Sequence, residues 1–273
     1  MNDRGRIATP GIATDALVRA SIEVRERRAG YTVVRAPDAP GYWFANCLVL
    51  DVAPRPDSYE AWLAECAACF AGSAVQRRIV VWETSERTGR PFHDGPIERE
   101  CTTIFTSTSA PDRRTSAQIR PLLSDDDWAR ALQLLIADLA AEGNMSRSEF
   151  ESWRFGIYRR DAAAHRCRAW GAWLDGRLVA YAGLYFNAEL ARFFTPVTDP
   201  AYRRRGLFGA LAAIGMRHVL DRHPHATIVV GAEKGAFTER VYARLGFRAT
   251  AEQHALVAPM VRAGADDSPS HES

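Results

Sequence analysis

The fifteen residues Val197-Thr-Asp-Pro-Ala-Tyr-Arg-Arg-Arg-Gly-Leu-Phe-Gly-Ala-Leu211 combine three features that suit phosphate binding. An apolar run ends at Thr198, a proline turn follows, and apolar residues at helical spacing begin at Leu207. A helix starting there leaves the N–H groups of its first turn unpartnered, at the positive end of its dipole. Gly206 and Gly209 let a ligand approach the backbone, and Arg203, Arg204 and Arg205 add charge. Alone, such a helix start is common without any ligand, so its surroundings decide. A second candidate is Tyr242. Phe237, Val241 and Leu245 recur every four residues and claim the core face of a short helix, while Tyr242 lies about 100° round from Val241. That placement suits a hydroxyl facing a cleft; the alternative is a tyrosine at the helix edge with its hydroxyl in solvent.

The elements that must carry these residues follow from periodicity and turn chemistry. Residues 117–262 read as strand 118–122, a helix through Leu139 capped by Ser124 and the acidic run Asp125 to Asp127, and a helix from Ser148 to about His165. Strands 168–174 and 177–185 flank Asp175-Gly176, a tight hairpin signal, and strand 190–198 continues the meander. A helix from Leu207 to about Arg222, a buried parallel strand 227–232, a helix 238–245 ending at Gly246 and a strand 248–257 complete the series. Residues 13–109 read as another lobe: a helix through Arg28, strands 31–35 and 44–50, a helix on Tyr59, Trp62, Leu63, Cys66 and Phe70, and strands 78–82 and 100–106. Residues 110–116 are expected to link the lobes, and 1–12 and 263–273 to be disordered tails.

Composition removes several function classes. The 273 residues are 47% hydrophobic and 25% charged, with formal net charge +2, an ordinary globular balance. Three consecutive arginines in a near-neutral chain make too few phosphate contacts for a nucleic-acid binder. No apolar run is long enough to span a membrane, and Met1 to Pro10 carries no apolar signal region, so a cytoplasmic address is expected. Cys47, Cys66, Cys69, Cys101 and Cys167 are an odd number without an export signal and read as reduced thiols. Cys66 and Cys69 sit on a helix face and read as packing residues. His218, His223 and His225 lie near a helix-to-strand turn with no carboxylate or cysteine completing a ligand set, so no metal is expected.

The residues 197–209 resemble the acyl-CoA loop of the GNAT superfamily of N-acetyltransferases. Its pattern of Arg or Gln, two residues, Gly, one residue, then Gly or Ala is occupied by Arg203, Arg204, Arg205, Gly206, Leu207 and Phe208, which departs from it in placing bulky Phe208 at the usually small last position. Val197, Pro200, Tyr202 and Arg203 resemble the strand end that precedes the loop. Val241-Tyr-Ala-Arg-Leu-Gly-Phe247 resembles the family's later helix motif. After strand 227–232, where many members place asparagine, stand Glu233 and Lys234. The entry Ala39-Pro-Gly-Tyr-Trp-Phe-Ala-Asn46 and the Trp62 helix resemble, more loosely, the degenerate N-terminal lobe of tandem members.

That resemblance implies an α/β fold of α+β mixed-sheet type, the GNAT fold, with a GNAT-like first lobe. It implies transfer of an acetyl or other acyl group from acetyl-CoA to a primary amine, directly through a tetrahedral intermediate. Val197, Thr198, Arg203, Arg204, Arg205, Gly206, Leu207, Phe208 and Gly209 would bind the cosubstrate, with the Val197 N–H polarising the thioester carbonyl. Tyr242 would protonate the departing thiolate. The general base stays open between Glu189, Glu233 and a water relay. Trp170, Trp173, Tyr181, Tyr185, Phe193 and Phe194 are expected mainly as sheet core, with one or two reaching the acceptor. The acceptor is a small-molecule or peptide amine, and exposed sheet edges leave a homodimer open. The alternative reading, favoured by Phe208 and the missing asparagine, is a catalytically weak acyl-CoA-binding sensor or assembly module.

Overall fold

A computed structural model describes residues 9–86 and 92–260, with backbone only at 92–94. In chain order the elements are α1 (Pro10–Arg19), β1 (Val24–Arg28), β2 (Tyr31–Arg35), β3 (Cys47–Leu50), α2 (Tyr59–Cys69), β4 (Arg77–Thr84), β5 (Phe92–Asp94) and β6 (Ile97–Ser107). There follow β7 (Gln118–Pro121), α3 (Asp125–Ala141), α4 (Ser148–Ala163), β8 (Cys167–Leu174), β9 (Arg177–Phe186), β10 (Leu190–Thr198), α5 (Leu207–Leu220), β11 (Thr227–Glu233), α6 (Phe237–Arg244) and β12 (Arg248–Pro259). The described residues fall into two compact units, 9–21 with 102–251, and 22–101 with 252–260. The mixed α/β class expected from sequence is what the structure has. The unit limits depart from the expected lobes, because α1 and the second half of β6 belong with residues 117–251, and the second half of β12 belongs with residues 22–101.

In the larger unit β7, β8, β9 and β10 form an antiparallel meander, β11 lies parallel to β10, and β6 lies antiparallel beyond β11. The local signals explain the joints. Ser124 accepts from the Asp127 N–H, and Asp127 reaches back to the Ser124 N–H, a complete capping box at the start of α3. Asp175 and Gly176 take φ of 49° and 74°, the left-handed pair a two-residue hairpin needs. Gly246 at φ 89° ends α6. Helices α3 and α4 pack one face of the sheet on Trp128, Leu135, Phe155, Tyr158, Tyr181 and Phe194. Helices α5 and α6 pack the other on Trp170, Leu184, Leu211, Met216, Val230 and Tyr242.

The smaller unit carries β1, β2 and β3 antiparallel, β4 parallel to β3, and residues 252–259 of β12 antiparallel to β4. Here one expectation is corrected. Val24–Arg28, expected at the end of a helix, is a strand, because Ala29-Gly30 turns the chain and pairs Arg28 with Tyr31. Gly30 sits at φ 85°, open to glycine and strained for other residues. The strand is charged and exposed, so its sequence shows no alternation. Residues 10–12, expected in a tail, form the first turn of α1; 1–8 and 261–273, expected as tails, lie outside the described residues.

Candidate active site

Strands β10 and β11 pair only at Leu190, Ala191 and Arg192, opposite Thr227, Ile228 and Val229. Beyond that point β10 stays on β9 while β11 stays on β6, so the two parallel neighbours part. The cause lies in β10. The register on β9 shifts between Phe194 and Val197, Thr195 takes φ 38°, and Pro196 has no N–H to give a ladder. A proline inside an otherwise regular strand is the sequence signal for this bulge.

The ladder also decides which amides face the opening. Asp199 donates its N–H to the Val179 carbonyl at 2.9 Å. With the two-residue period of an antiparallel pair, the Val197 N–H likewise points to β9, and the Thr198 N–H points away from it, toward the opening. The amide offered to a ligand at this level is therefore that of Thr198 rather than that of Val197.

At the open end the chain turns through Pro200–Tyr202 into α5, whose first helical bond runs from Ala210 N to Gly206 O at 3.1 Å. The N–H groups of Gly206, Leu207, Phe208 and Gly209 precede that bond, and the positive φ of Arg204 (66°) and Gly206 (73°) bends the backbone around them. The three arginines have different neighbours. Arg203 is taken by the protein: it bonds Asp138 at 2.5 Å, Glu142 at 3.3 Å and the Thr198 carbonyl at 3.3 Å. Burial pushes the Asp138 carboxyl up, and Arg203 works against that rise. Arg205 lies over the Tyr202 ring at 4.9 Å, and neither it nor Arg204 has a carboxylate partner among the described residues. Arg204 and Arg205 are the cations left for an anion. A hollow of about 560 Å³ beside the turn is lined by Thr115, Ser116, Asp175, Arg177, Tyr202 and Arg205, among others. Residues 110–116, expected as a plain linker, thus border the cradle, and Arg113 donates to the Arg244 carbonyl at 3.0 Å.

Tyr242 is 9% exposed, on the α5 and α6 side of the sheet. Its ring meets Phe105 at 5.9 Å, Phe208 at 6.2 Å and Phe247 at 6.0 Å, and burial raises the phenol above its usual range while the Arg192 charge opposes the rise. Phe208 in turn meets Phe193 of β10 at 5.8 Å. A ring thus bridges from β10 to Tyr242 at the loop position noted above as usually small. Trp170, Trp173, Tyr181, Tyr185 and Phe194 are buried in the sheet core, and Phe193 is half-buried. The two carboxylates fall at opposite ends. Glu189 precedes the paired end of β10, away from the cradle, whereas Glu233 is exposed at the open end of β11.

The histidines near residue 220 form no ligand set. His218 packs edge-on against Trp170 and Phe186 and takes a bond from Arg222 at Nδ1, and burial holds its imidazole down at about 4. Among the described residues one group of three potential ligands occurs, the buried Cys101, Glu252 and His254 of the smaller unit. Arg99 lies 3.4 Å from His254 Nδ1 and can only donate, which leaves the Nε2 proton facing Glu252 at 3.5 Å. That tautomer suits a buried hydrogen-bonded cluster, which sequence reading missed because the residues are about 150 apart.

Comparison with known proteins identifies the family of one region of the chain. The model of the acetyltransferase (GNAT) domain matches residues 141–257. Those residues are a GNAT domain. Solved structures share the fold of the longer chain. A tandem GNAT protein from the clavulanic acid biosynthesis pathway aligns with TM-score 0.59 at 14% identity, over 96% of this chain and 92% of that one. A functionally unknown conserved protein from Staphylococcus epidermidis aligns with TM-score 0.65 at 8% identity, over 86% and 93%. A GCN5-related N-acetyltransferase from Kribbella flavida aligns with TM-score 0.57 at 17% identity, over 90% and 93%. At such identities the likeness is one of fold. No curated protein matches the chain in sequence. Among the described residues no helix is long and apolar enough to cross a membrane. The GNAT domain contains the diverging strands, the cradle and Tyr242.

Proposed function

We propose that the GNAT domain transfers an acyl group, in the simplest case acetyl, from acyl-CoA to a primary amine of a small molecule or peptide. The observation that carries this reading is the parting of β10 from β11 directly beside the α5 N-terminus. A pyrophosphate on the amides of residues 206–209, with Arg204 and Arg205 beside it, would lead the rest of the cosubstrate into the opening. The Thr198 N–H would polarise the thioester carbonyl, and the amine would attack it to give a tetrahedral intermediate. Collapse of that intermediate breaks the C–S bond and releases the thiolate, which takes its proton from Tyr242. Glu233, at the open end, is the better placed of the two glutamates to receive the amine proton, directly or through water; Glu189 stands at the wrong end of β10. Holding both reactants in one frame contributes roughly 7–11 kcal/mol in well-oriented systems.

Calorimetric titration with acetyl-CoA, followed by CoA release with a panel of amines, tests the proposal. Saturable binding that is lost in Arg204→Glu/Arg205→Glu, together with amine-dependent release, supports it. Binding without release for any amine supports a second reading, a weak acyl-CoA-binding sensor. Phe208 favours that second reading, because its ring stands between Phe193 and Tyr242. Absence of binding would overturn both.

A further inference from the structure

Strand β7 covers only part of the outer edge of β8. The last rung is the Leu122 N–H on the Ala169 carbonyl at 2.9 Å, after which the chain turns away to the Ser124 cap of α3. Cys167 lies two residues beyond that rung. The alternation of the ladder points its N–H and carbonyl to the same outer side, where β8 has no strand neighbour. A cavity of about 350 Å³ opens at this gap. Its buried lining is apolar, formed by Leu122, Cys167 and Ala169 and flanked by half-buried Ala162 and Phe186. Around these stand Arg168 of β8, His165 after α4, and His218 and Arg222 at the end of α5. Among the described residues no carboxylate lines the cavity.

The polar groups around the cavity are all donors. Arg222 Nη1 donates to the His218 carbonyl at 2.9 Å and lies 3.1 Å from His218 Nδ1. A guanidinium can only donate, so the imidazole is neutral with its proton on Nε2. Neither Arg168 nor Arg222 has a carboxylate partner among the described residues. The nearest acids in sequence do not serve. Asp161, next to Ala162, is taken by Ser21, Tyr185 and Arg166 at 2.8, 2.8 and 3.2 Å, and Asp221 is exposed at the C-cap of α5. Two arginines without counter-ions beside an apolar hollow complement an anion that carries an apolar body. A singly charged head suits the apolar lining better than a phosphate dianion, which loses more hydration on entry. The guanidinium fork matches a planar carboxylate. The cavity is separate from the acyl-CoA cradle, since α5 rises about 16 Å between Leu207 and His218.

We propose that this cavity is a second ligand site of the GNAT domain, for a small carboxylate with an apolar body. The body fills the gap beside β8, and Arg168, Arg222 and the His218 Nε2–H donate to the carboxylate. The site stands on its own geometry and does not depend on acyl transfer.

The test is calorimetric titration of the full chain with octanoate and with phenylacetate. Acetate is the carboxylate without the body, and 1-octanol the body without the charge. Saturable binding of at least one of the two larger carboxylates is expected, with acetate and 1-octanol about tenfold weaker or more. Arg168→Gln/Arg222→Gln, in a protein that retains its fold by circular dichroism, should weaken the carboxylate about tenfold or more and leave 1-octanol unchanged. Ala162→Phe, which fills the hollow from α4, should abolish binding. Arg204→Glu/Arg205→Glu, at the cradle, should leave it intact. Amide NMR locates the ligand: signals of Cys167, Ala169 and His218 are expected to shift, and those of residues 206–209 to stay. Absence of binding by both larger carboxylates overturns the proposal. So does 1-octanol binding as tightly as octanoate, or native affinity in the double arginine variant. Loss of binding in the cradle variant, with shifts at residues 206–209, would place the carboxylate in the acyl-CoA site and overturn it too. Acetyl-CoA titrated in parallel reads the transfer site alone, so its failure to bind would remove that reading and leave this site in place.

Discussion

Tyr242 and Phe208 stand in ring contact, and two substitutions separate their roles. Tyr242→Phe keeps the packing against Phe105 and removes the hydroxyl, so acetyl-CoA binding should persist while kcat drops about 10²- to 10⁴-fold, the usual range for a lost proton donor. Unchanged turnover would take Tyr242 out of the reaction. Phe208→Ala removes the ring that bridges Phe193 and Tyr242. If a ligand must displace that ring, the variant should bind acetyl-CoA about tenfold more tightly, close to 1.4 kcal/mol by titration calorimetry. A weaker complex would make Phe208 a wall of the site. At this scale the sequence was informative where function depends on backbone placement. Gly206 and the three arginines could be read as a cradle because a helix start is a local event. The partners of Arg203 could not be read, since Asp138 and Glu142 are brought to it by the packing of α3. Nor did Val197 reveal its partner, because the phase of the ladder depends on a bulge two residues earlier.

Among the elements, α3 offers the most direct energetic test. Arg120 grips the buried Asp127 with two bonds of 2.8 and 2.7 Å, and the N–H groups of Leu123 and Ser124 add two more. These contacts hold the Asp127 carboxyl well below the usual carboxylate range, the Arg120 bond being the largest cause. A carboxyl depressed in the folded state stabilises at pH above its unfolded value, near 4, and loses that contribution as pH falls through the depressed value. Asp127→Asn should therefore cost about 1–3 kcal/mol at neutral pH by urea denaturation, and the gap to the native chain should narrow toward pH 3 and below. A gap independent of pH would mean the cost is steric. Elements whose hydrophobic period matches their geometry, such as α3 and β10, were legible within a few residues. β1 was not, because an exposed charged strand takes its state from its hairpin partner. The pairing of β6 with β11 was hidden for a related reason: Thr102 to Ser107 meet a strand more than 120 residues later, and nothing local marks that partner.

Across the molecule, each unit is built from two separated stretches of chain, and β6 and β12 each run from one unit into the other. In the smaller unit the outer face of β4 is completed by residues 252–259, paired from Glu252 with Thr84 to Pro259 with Arg77. A chain ending at residue 251 would leave β4 with a row of unpaired backbone groups. Limited proteolysis should then cut within residues 22–101 under conditions that leave the full chain intact. Equal resistance would show that this unit holds without its last strand.

The same strand sets a timetable for synthesis. A ribosome adds about 5–20 residues per second, so residues 252–259 emerge roughly 8–30 s after Cys101. During that interval residues 22–101 exist as a nascent chain with one strand edge bare, and α1 waits for β10 in the same way. Both units are therefore half-built over the same interval, and the fold of residues 9–259 is finished only when β12 has emerged.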